Sequence, residues 1–485
     1  MGTLTVFRGD ETIRLSFEGT PTVREVLLSG GIPLEHPCGG TGLCGQCAVR
    51  IEGALSPMTR EEIRLGRRLS CRTRLWGDGR LILPAVEALS AESTEADIPP
   101  SDGEGIGAAI DIGTTTVALA CYDLRTGRLL ASRTAANPQG TVAADVMGRI
   151  DAALHGQGDF LRDQILRCVH HLLADTGLEP GIARRVLTGN TAMLYLLTGR
   201  SPRSLAFAPY TADHLFGETV ELEGRPVFLP GCVSAFVGAD ITCALLESGI
   251  CTRKETALLA DIGTNGELAL WKDGTLYVTS TAAGPAFEGA GISCGCQSIP
   301  GAIERVRLTA GGLCAETIGG QPPRGLCGSG LLDAIDCLLR IGIIDETGAI
   351  GTEEAEIVPG IRLTRKDIRN VQLAKGAIAG GIRTLLEVSG TSAAEIRRFC
   401  IAGGFGRHLN LDAAVRIGLF PAVLRTKTEV MGNAALRGAA SLLTRPEGAA
   451  LIEAMRGMAR VVDLGGSPLF QKHYIDSMAL GRLED

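Results

Sequence analysis

Short runs of alternating apolar and polar residues occupy most of the first 85 positions of the chain. This alternation predicts strands, here over 3–7, 12–17, 47–52, 70–75 and 80–84. Residues 22–29 and 59–66 have the spacing of helices, and Gly30 and Gly31 end the first of them. The pattern predicts a compact α+β domain, which we place at residues 1–88.

The next segment, residues 89–105, differs in composition from both of its neighbours. Residues 90–105 contain five acidic residues, a Pro-Pro pair and no basic or aromatic residue. Such a segment cannot bury enough apolar surface to fold alone. We therefore predict a flexible acidic linker over 89–105.

From residue 106 to residue 485, apolar strand-like runs alternate with helical patterns. The predicted strands include Ala108–Ile112, Val117–Tyr122 and Leu258–Ile262, and the predicted helices include 161–175, 328–341, 370–388 and 430–444. This alternation predicts an α/β region. A short motif, Asp-Ile-Gly-Thr, occurs at Asp111 and again at Asp261 after similar strands. The repeat indicates two related lobes, at about 106–255 and 256–485.

Composition excludes several classes of protein. The chain is 45% hydrophobic and 21% charged, with a formal net charge of −7, so it is neither disordered nor basic enough to indicate nucleic acid or an anionic membrane as a partner. No apolar run approaches the roughly 18 residues that span a bilayer. The N-terminal sequence lacks the pattern of a signal peptide. We predict a cytoplasmic protein.

Fifteen cysteines in a reducing compartment suggest metal ligation or buried thiols rather than disulfides. Cys38, Cys44 and Cys47 lie in one glycine-rich loop with the spacing C-x5-C-x2-C, and Cys71 follows 24 residues later. Four thiolates hold a [2Fe–2S] cluster, and the plant-type pattern is C-x4-C-x2-C with a distant fourth cysteine. The alternative is a zinc site, although zinc ligands usually come as two C-x2-C pairs.

The two Asp-Ile-Gly-Thr segments have the composition of phosphate-binding hairpins. In each, an aspartate ends a strand and could hold hydrated Mg²⁺, while the following N–H and hydroxyl groups could bind phosphate oxygens. The candidate residues are Asp111, Gly113, Thr114, Thr115, Asp261, Gly263, Thr264, Asn265 and Gly266. The alternative is an ordinary turn at the end of a strand. The chain contains no P-loop motif, which argues against a Walker nucleotide site.

The hairpins resemble those of the actin, hexokinase and heat-shock ATPase superfamily. Residues 401–406, Ile-Ala-Gly-Gly-Phe-Gly, resemble its adenosine motif, and segments 237–246 and 432–440 resemble its two connecting helices. Ordinary helix packing explains the last two segments equally well. The resemblance implies a two-lobed, ribonuclease H-like ATPase in which Asp111 and Asp261 position Mg²⁺ and water. It also implies that Gly403 and Gly404 flank the adenosine.

A further segment, residues 283–290, reads Ala-Gly-Pro-Ala-Phe-Glu-Gly-Ala. Its carboxylate, Glu288, is a candidate for ordering the attacking water. A solvated loop carboxylate is the alternative explanation of the same residue.

A cysteine loop similar to that of adrenodoxin-type ferredoxins, joined to such an ATPase, resembles the reductive activators of corrinoid proteins. The resemblance covers nearly the whole chain. It implies a β-grasp ferredoxin that passes one electron from a [2Fe–2S] cluster to a Co(II) corrinoid protein of a methyltransferase system, forming Co(I), with ATP and Mg²⁺ as cofactors. It also implies an upstream low-potential reductant, and it leaves a homodimer open.

Members of that family can carry an extra segment between ferredoxin and ATPase, which puts in doubt any docking or dimer contact that such a segment provides. Two other functions stay open at this point. The protein could be a small-molecule kinase with a redox-sensing ferredoxin module, or a nucleotide sensor that carries electrons without hydrolysing ATP. An activator of a radical dehydratase is disfavoured, because its [4Fe–4S] cluster requires a different cysteine spacing.

Overall fold

A computed structural model of the chain describes residues 1–8, 11–30, 32, 34, 42, 47–83, 96–403, 409–445 and 447–483. Three sheets of five or six strands organise these residues, one near the N-terminus and two farther along the chain. Two smaller sheets, of three strands and two strands, complete the fold.

The N-terminal region is a five-stranded sheet covered on one face by a helix. Its elements are β1 (Gly2–Arg8), β2 (Glu11–Phe17), α1 (Val23–Ser29), β3 (Ala48–Leu55), α2 (Arg60–Leu65), β4 (Arg68–Leu69) and β5 (Leu75–Leu83). The strand order is β2-β1-β5-β3-β4, with β1 and β5 parallel. Val23, Val26 and Leu27 of α1 pack on Leu4 and Leu81 of the sheet. This arrangement confirms the predicted α+β ferredoxin fold.

The two strands predicted at 70–75 and 80–84 are a single strand, β5. Residues 70–72 form a turn instead of a strand. The buried carboxylate of Glu62 holds this turn, because it accepts hydrogen bonds from the Leu69 amide at 2.9 Å and the Thr73 hydroxyl at 2.8 Å. The alternation of apolar and polar residues in 70–75 does not predict this contact, because Glu62 lies on α2 and outside the turn.

The segment predicted as a flexible linker lies partly against the next domain. The Ile98 amide donates to the Gly127 carbonyl at 2.9 Å, and the Ser101 amide donates to the Leu124 carbonyl at 3.1 Å. The Ile98 side chain is buried in the adjacent hydrophobic cluster. Residues 98–101 are therefore anchored to the region that follows, although their composition alone favours disorder.

Lobe I is a six-stranded sheet flanked by helices. Its elements are β6 (Ile106–Ile112), β7 (Thr116–Asp123), β8 (Leu129–Ala136), α3 (Val146–Ala152), α4 (Gly158–Ala174), β9 (Ile182–Gly189), α5 (Thr191–Thr198), α6 (Arg203–Ala206), β10 (Glu218–Leu222), β11 (Arg225–Leu229) and α7 (Ala239–Ser248). The strand order is β10-β11-β9-β6-β7-β8. Strands β6, β7 and β8 form consecutive antiparallel hairpins, and β9 pairs with β6 in parallel.

Lobe II repeats this plan. Its main sheet has the order β21-β20-β12-β13-β14-β22, and β20 pairs with β12 in parallel. The strands of lobe II are β12 (Ala257–Ile262), β13 (Gly266–Lys272), β14 (Thr275–Thr281), β15 (Ala302–Thr309), β16 (Gly312–Thr317), β17 (Gly325–Leu326), β18 (Glu354–Val358), β19 (Ile361–Thr364), β20 (Arg398–Gly403), β21 (Thr428–Gly432) and β22 (Ala459–Val461). Its helices are α8 (Gly328–Arg340), α9 (Arg365–Ser389), α10 (Leu411–Arg416), α11 (Ala434–Thr444), α12 (Glu447–Gly457) and α13 (Pro468–Asp476).

Two helices join the lobes. Ile241 and Leu245 of α7 pack with the lobe II sheet, whereas Leu436 and Leu443 of α11 pack with the lobe I sheet. The two helices also touch each other, since a methyl group at Gly438 would lie 2.0 Å from the Cys243 carbonyl oxygen. Each helix therefore contacts the sheet of the other lobe, which is the arrangement expected of connecting helices.

The helix predicted over 430–444 is shorter than its hydrophobic pattern suggested. Residues 428–432 form β21, which pairs in parallel with β20, and the helix begins only at Ala434. The Asn433 side chain caps that helix by accepting a hydrogen bond from the Leu436 amide at 2.8 Å. A short apolar run is compatible with a strand or a helix. Here pairing with β20 makes residues 428–432 a strand.

Candidate nucleotide and cluster sites

The first predicted phosphate hairpin is a tight turn between β6 and β7. The Gly113 amide donates to the Thr116 carbonyl at 2.9 Å, which closes the turn. A methyl group at Gly113 would lie 2.8 Å from that same carbonyl oxygen, so the position requires glycine.

Lobe I holds this hairpin from behind with three side chains. Asn137 Nδ2 donates to the Gly113 carbonyl at 2.7 Å, and an Arg149 terminal nitrogen donates to the Thr114 carbonyl at 2.5 Å. Asn190 Nδ2 donates to the Thr114 hydroxyl at 3.2 Å. These bonds satisfy the hairpin's carbonyl oxygens within lobe I and fix the loop's orientation.

Arg149 is a buried cation, with 1% of its surface exposed. Its guanidinium also donates to the Ala143 carbonyl at 3.0 Å and to Gln139 Oε1 at 3.3 Å. Burial lowers the pKa of Arg149 to about 10, and the charge of Asp145 acts in the opposite direction. Sequence reasoning did not identify this residue, because nothing in its local pattern distinguishes it from a surface arginine.

The second hairpin joins β12 to β13 through a turn one residue shorter, because Ile262 pairs with Gly266 whereas Ile112 pairs with Val117. The Gly263 amide donates to the Asn265 carbonyl at 3.0 Å. Gly266 follows, and a methyl group there would lie 2.7 Å from the Thr281 hydroxyl. The Thr264 carbonyl accepts a hydrogen bond from the Gly284 amide at 2.8 Å, which attaches the hairpin to the loop that carries Glu288.

The structure brings the two hairpins together although they are about 150 residues apart. The hydroxyl oxygens of Thr115 and Thr264 lie 3.0 Å from each other. Both hydroxyls donate to Glu288 Oε2 at 2.6 Å, and the Thr264 amide donates to Glu288 Oε1 at 3.2 Å. Glu288 therefore lies at the junction of the lobes, which disagrees with a simple solvated loop carboxylate.

The predicted aspartates lie beside this junction. Asn433 Nδ2, at the start of α11, donates to Asp111 Oδ2 at 3.0 Å and so links the two lobes. Burial raises the pKa of Asp261 to about 8, and the charges of Asp240, Asp111 and Glu288 add to this shift. A raised pKa from desolvation and neighbouring carboxylates is common at functional sites.

Two further carboxylates belong to the same group, and sequence reasoning missed both. Burial raises the pKa of Asp240, at the start of α7, to about 6. Burial, with the charges of Asp240 and Asp261, also raises the pKa of Glu267 on β13. Asp240 lies within the segment interpreted as a connecting helix, and Glu267 directly follows Gly266 of the second hairpin. The sequence signal that could have identified them was an acidic residue within a segment that is otherwise mostly apolar or glycine-rich.

The first glycine of the predicted adenosine motif lies directly against the second hairpin. Gly403 has φ +98°, and a methyl group there would lie 2.5 Å from Asp261 Oδ1 and 2.4 Å from the Ile262 carbonyl oxygen. This position therefore excludes every other residue. Gly404 lies outside the described residues.

The described carboxylates do not form a complete metal-binding group by themselves. Within the described parts of the chain, no three His, Cys, Asp or Glu side chains converge closely enough to hold a metal ion by themselves. Mg²⁺ keeps several waters and usually binds through one or two carboxylates plus substrate phosphates. Carboxyls with raised pKa, such as Asp261, are the groups that a bound cation would stabilise in charged form.

Two of the four predicted cluster cysteines are described, and they face each other. The Sγ atoms of Cys47 and Cys71 lie 3.2 Å apart without a disulfide between them, and both residues are buried. Cys38 and Cys44 lie outside the described residues. Two adjacent unbridged thiols, one next to β3 and one after β4, fit a pair of ligands to one metal centre.

Several other cysteines behave as buried small hydrophobic residues. Cys121 and Cys243 are fully buried, and burial raises the pKa of the Cys121 thiol to about 11. In the Cys294-Gly-Cys296 loop, burial raises the two thiol pKa values to about 12 and about 11. A thiol that resists ionisation is a poor nucleophile and a poor redox centre.

Comparison with known proteins agrees with this architecture. Residues 7–75 match the "2Fe-2S iron-sulfur cluster binding domain" family, residues 106–253 match the "RACo middle region", and residues 255–484 match the "C-terminal domain of RACo the ASKHA domain". The chain therefore joins a ferredoxin domain that binds an iron–sulfur cluster to an actin- and hexokinase-like domain that binds nucleotide.

Relatives define the family more closely. The chain is 33% identical over 421 residues to the corrinoid activation enzyme RamQ of Eubacterium limosum, covering 77% of this chain and 70% of the relative. It is 26% identical over 379 residues, covering 70% and 69%, to the [Co(II) methylated amine-specific corrinoid protein] reductase of Methanosarcina barkeri. The solved structure of a reductive activator for corrinoid, iron–sulfur protein superposes with a TM-score of 0.73 and 27% identity, covering 99% of both chains. This protein belongs to the family of reductive activators of corrinoid proteins.

The helices that the structure describes include none that is both long and apolar enough to cross a membrane.

Proposed function

We propose that the protein uses ATP to transfer one electron from a [2Fe–2S] cluster to the Co(II) form of a corrinoid protein, which becomes Co(I) and can again accept methyl groups. The observation that carries this proposal is the junction of Thr115, Thr264 and Glu288 between two phosphate hairpins, in a chain that also carries an iron–sulfur domain.

The hairpins would bind the triphosphate from both sides. Gly113, Thr114 and Thr115 of lobe I and Gly263, Thr264, Asn265 and Gly266 of lobe II would contact phosphate oxygens, with Gly403 and Gly404 next to the adenosine. Mg²⁺ would neutralise phosphate charge. Asp111 and Asp261 would orient the hydrated ion, and Glu288 would accept the proton of the water that attacks the γ-phosphate, giving ADP and phosphate.

Coupling to electron transfer would act through the position of the lobes. Phosphate oxygens bound between the hairpins would replace the direct contact of Thr115 with Thr264, and α7 and α11 would transmit the change because each contacts the sheet of the other lobe. A plant-type cluster has a potential of about −400 mV, and each 59 mV of unfavourable one-electron potential lowers the equilibrium about tenfold. ATP would offset this difference by favouring the complex in which cobalt is more easily reduced.

The remaining features of the proposal concern location and partners. An upstream low-potential reductant must recharge the cluster. Cysteines without disulfides and an oxygen-sensitive electron transfer both favour a location of the protein in the reducing cytoplasm. We propose no nucleic acid or membrane partner, and a homodimer stays compatible with the family.

The test is an anaerobic reduction of a Co(II) corrinoid protein from the same organism, with excess dithionite, followed through the absorption of Co(I). We expect Co(I) with MgATP and little without it. Asp261→Asn should abolish the effect, whereas the matched change Asp102→Asn at an exposed carboxylate should not. Co(I) formation independent of ATP would contradict the proposal, and a phosphorylated small molecule would indicate the kinase function instead. Nucleotide binding without hydrolysis, even with the corrinoid protein present, would indicate the sensor.

A further inference from the structure

Among the described residues, no element covers the second face of the ferredoxin sheet, and this face is basic. Helix α1 covers the inward residues of the sheet, such as Leu4, Val6 and Leu81. The opposite face forms, with Met58 and the turn that follows α2, a groove of about 1,090 Å³. Four arginines and a single acidic residue, Glu52, are among the residues that line it.

Cross-strand pairing places these side chains in two adjacent rows. Ile82 of β5 lies between Phe7 of β1 and Arg50 of β3 in one row. In the adjacent row, Arg80 of β5 lies opposite Glu52 of β3. Ile82 is 58% exposed and Phe7 is 36% exposed, so the arginines surround apolar surface. Exposed apolar surface with a charged rim is typical of protein interfaces.

The positive charge of this face is not used inside the protein. Among the described residues, Arg50, Arg67 and Arg80 are exposed and take part in no ion pair or side-chain hydrogen bond, whereas Arg68 pairs with Glu62 at 3.7 Å. Residues 1–83 contain eleven arginines and nine acidic residues, a formal charge of +2 in a chain whose net charge is −7. The local excess of arginine is therefore opposite in sign to the rest of the molecule.

One end of the groove lies beside the cluster cysteines. Val49 and Arg68 pair across β3 and β4, and both line the groove. Val49 is two residues from Cys47, about 7 Å along an extended strand. A partner seated in the groove would therefore approach the cluster closely.

We propose that this basic groove is the docking site of the electron donor, a low-potential redox protein whose own cofactor lies beneath an acidic surface. The inference rests on the proposed function, because it assigns the surface through which the cluster is recharged. One electron passes from the reduced cofactor of the donor, which is oxidised, to the oxidised cluster, which is reduced.

The orientation of the ferredoxin domain favours the donor over the corrinoid protein as the occupant. Arg24 of α1 donates to the Val142 carbonyl of lobe I at 3.2 Å, so the covered side of the sheet faces the ATPase and the groove faces away from it. Because ATP is proposed to favour the complex in which cobalt is more easily reduced, the corrinoid protein must contact the lobes that bind the nucleotide. A donor that only recharges the cluster needs no contact with them.

The test compares a protein donor with a small-molecule reductant, using the full chain. The groove variant carries Arg50→Glu with Arg80→Glu, and the control variant carries Arg125→Glu with Arg128→Glu on an exposed turn of lobe I, which changes the net charge equally. The probe is an acidic bacterial low-potential ferredoxin, with cluster reduction followed by absorbance. We expect the second-order rate constant of the groove variant to fall at least tenfold at low ionic strength and to depend less on salt. The control should match the wild type.

In the second arm, dithionite reduces the cluster before the Co(II) corrinoid protein and MgATP are added. Wild-type rates of Co(I) formation by the groove variant would support the donor assignment. If the groove variant is slowed equally in both arms and its cluster spectrum is normal, the corrinoid protein occupies the groove and the donor assignment is wrong. An abnormal cluster spectrum would show instead that the domain is misfolded. Unchanged reduction of the groove variant, or failure of the acidic ferredoxin to reduce the wild type faster at low salt, would also overturn it. If the wild-type protein reduced with dithionite makes no Co(I), the proposed function is wrong. The rate of cluster reduction by the acidic ferredoxin in the first arm still tests the docking site.

Discussion

The two predicted phosphate hairpins share the sequence Asp-Ile-Gly-Thr but are held by groups of different charge. Neutral amides and a buried cation hold the Asp111 hairpin, through Asn137, Asn190 and Arg149. Carboxylates surround the Asp261 hairpin, where burial and neighbouring charge raise the pKa of Asp261 to about 8. The two copies of the motif therefore lie beside groups of different charge in the two lobes.

This difference shows how two copies of a motif can lie beside different charges although the residues Asp-Ile-Gly-Thr are the same in both. The turn geometry depends on glycines and a strand end, which both copies contain. The surrounding charge depends on residues from other elements, which the copies do not share. The predictions below test this asymmetry, beginning with the largest effect.

Removal of the junction carboxylate should have the largest effect. Glu288→Gln keeps the size of the side chain and hydrogen-bonding capacity toward Thr115 and Thr264 but cannot accept a proton. We expect ATP hydrolysis to fall by about 10²- to 10⁴-fold with little change in ATP affinity. Steady-state phosphate release and equilibrium binding measure the two quantities. The matched change Glu353→Gln, at an exposed carboxylate, should leave both unchanged, and an active Glu288→Gln protein would exclude Glu288 as the base.

Removal of the buried cation should damage lobe I more than lobe II. Arg149→Met leaves the carbonyls of Thr114 and Ala143 without their donor. We expect the free energy of unfolding to fall by about 3 kcal/mol and ATP affinity to fall about tenfold. Arg149→Lys should restore part of the affinity, because it keeps the charge. Denaturant titration and nucleotide binding test this, with Arg162→Met, a partly buried arginine of the same lobe, as control. Equal effects of the two methionine variants would contradict a special role for Arg149.

The pH dependence of stability should identify the acidic half. The folded-state pKa values of Asp240 and Asp261, about 6 and about 8, lie above the ordinary value, so the folded protein binds more protons than the unfolded chain. Without Mg²⁺, these groups should make stability fall as pH rises from about 4 to about 8. Asp261→Asn should flatten this fall and stabilise the metal-free protein at pH 8 by about 2 kcal/mol, since each pKa unit is worth about 1.4 kcal/mol and solvent screens part of it.

Thermal unfolding between pH 5 and pH 8.5, with and without Mg²⁺, measures this effect. Added Mg²⁺ should raise the Tm of the wild type more than that of Asp261→Asn. A wild-type Tm that rises through this range, together with an unstabilised Asp261→Asn protein, would show that the carboxylates are not destabilised by burial.

The smallest effect should come from single hydroxyl groups. Thr115→Val and Thr264→Val each remove a hydroxyl that the proposed function places on phosphate oxygens, so we expect ATP affinity to fall by about 2- to 10-fold in each. Thr115→Ser and Thr264→Ser should behave as wild type because they keep the hydroxyl. Isothermal titration with a non-hydrolysable ATP analogue measures the change. Full affinity in both valine variants would mean that neither hydroxyl contacts the phosphates.

Local sequence determined the parts of this protein that depend on short-range geometry. The alternation in residues 1–17 predicted β1 and β2, and the Asp-x-Gly pattern predicted both hairpin turns, because strand pairing and tight turns need particular residues at adjacent positions. Pattern alone was weaker where a run fits two structures, as at 428–432, or where a distant side chain shapes the backbone, as Glu62 does near Cys71.

Tertiary structure decided which charges meet. Asp240 and Glu288 come from a helix and a loop outside both hairpins, and only folding brings their charges beside Asp261. Arg149 has the sequence context of any helical arginine, and only packing buries it behind the first hairpin. The physical reason is that turn geometry is a property of neighbouring residues, whereas desolvation and charge coupling depend on what folding brings within a few ångströms.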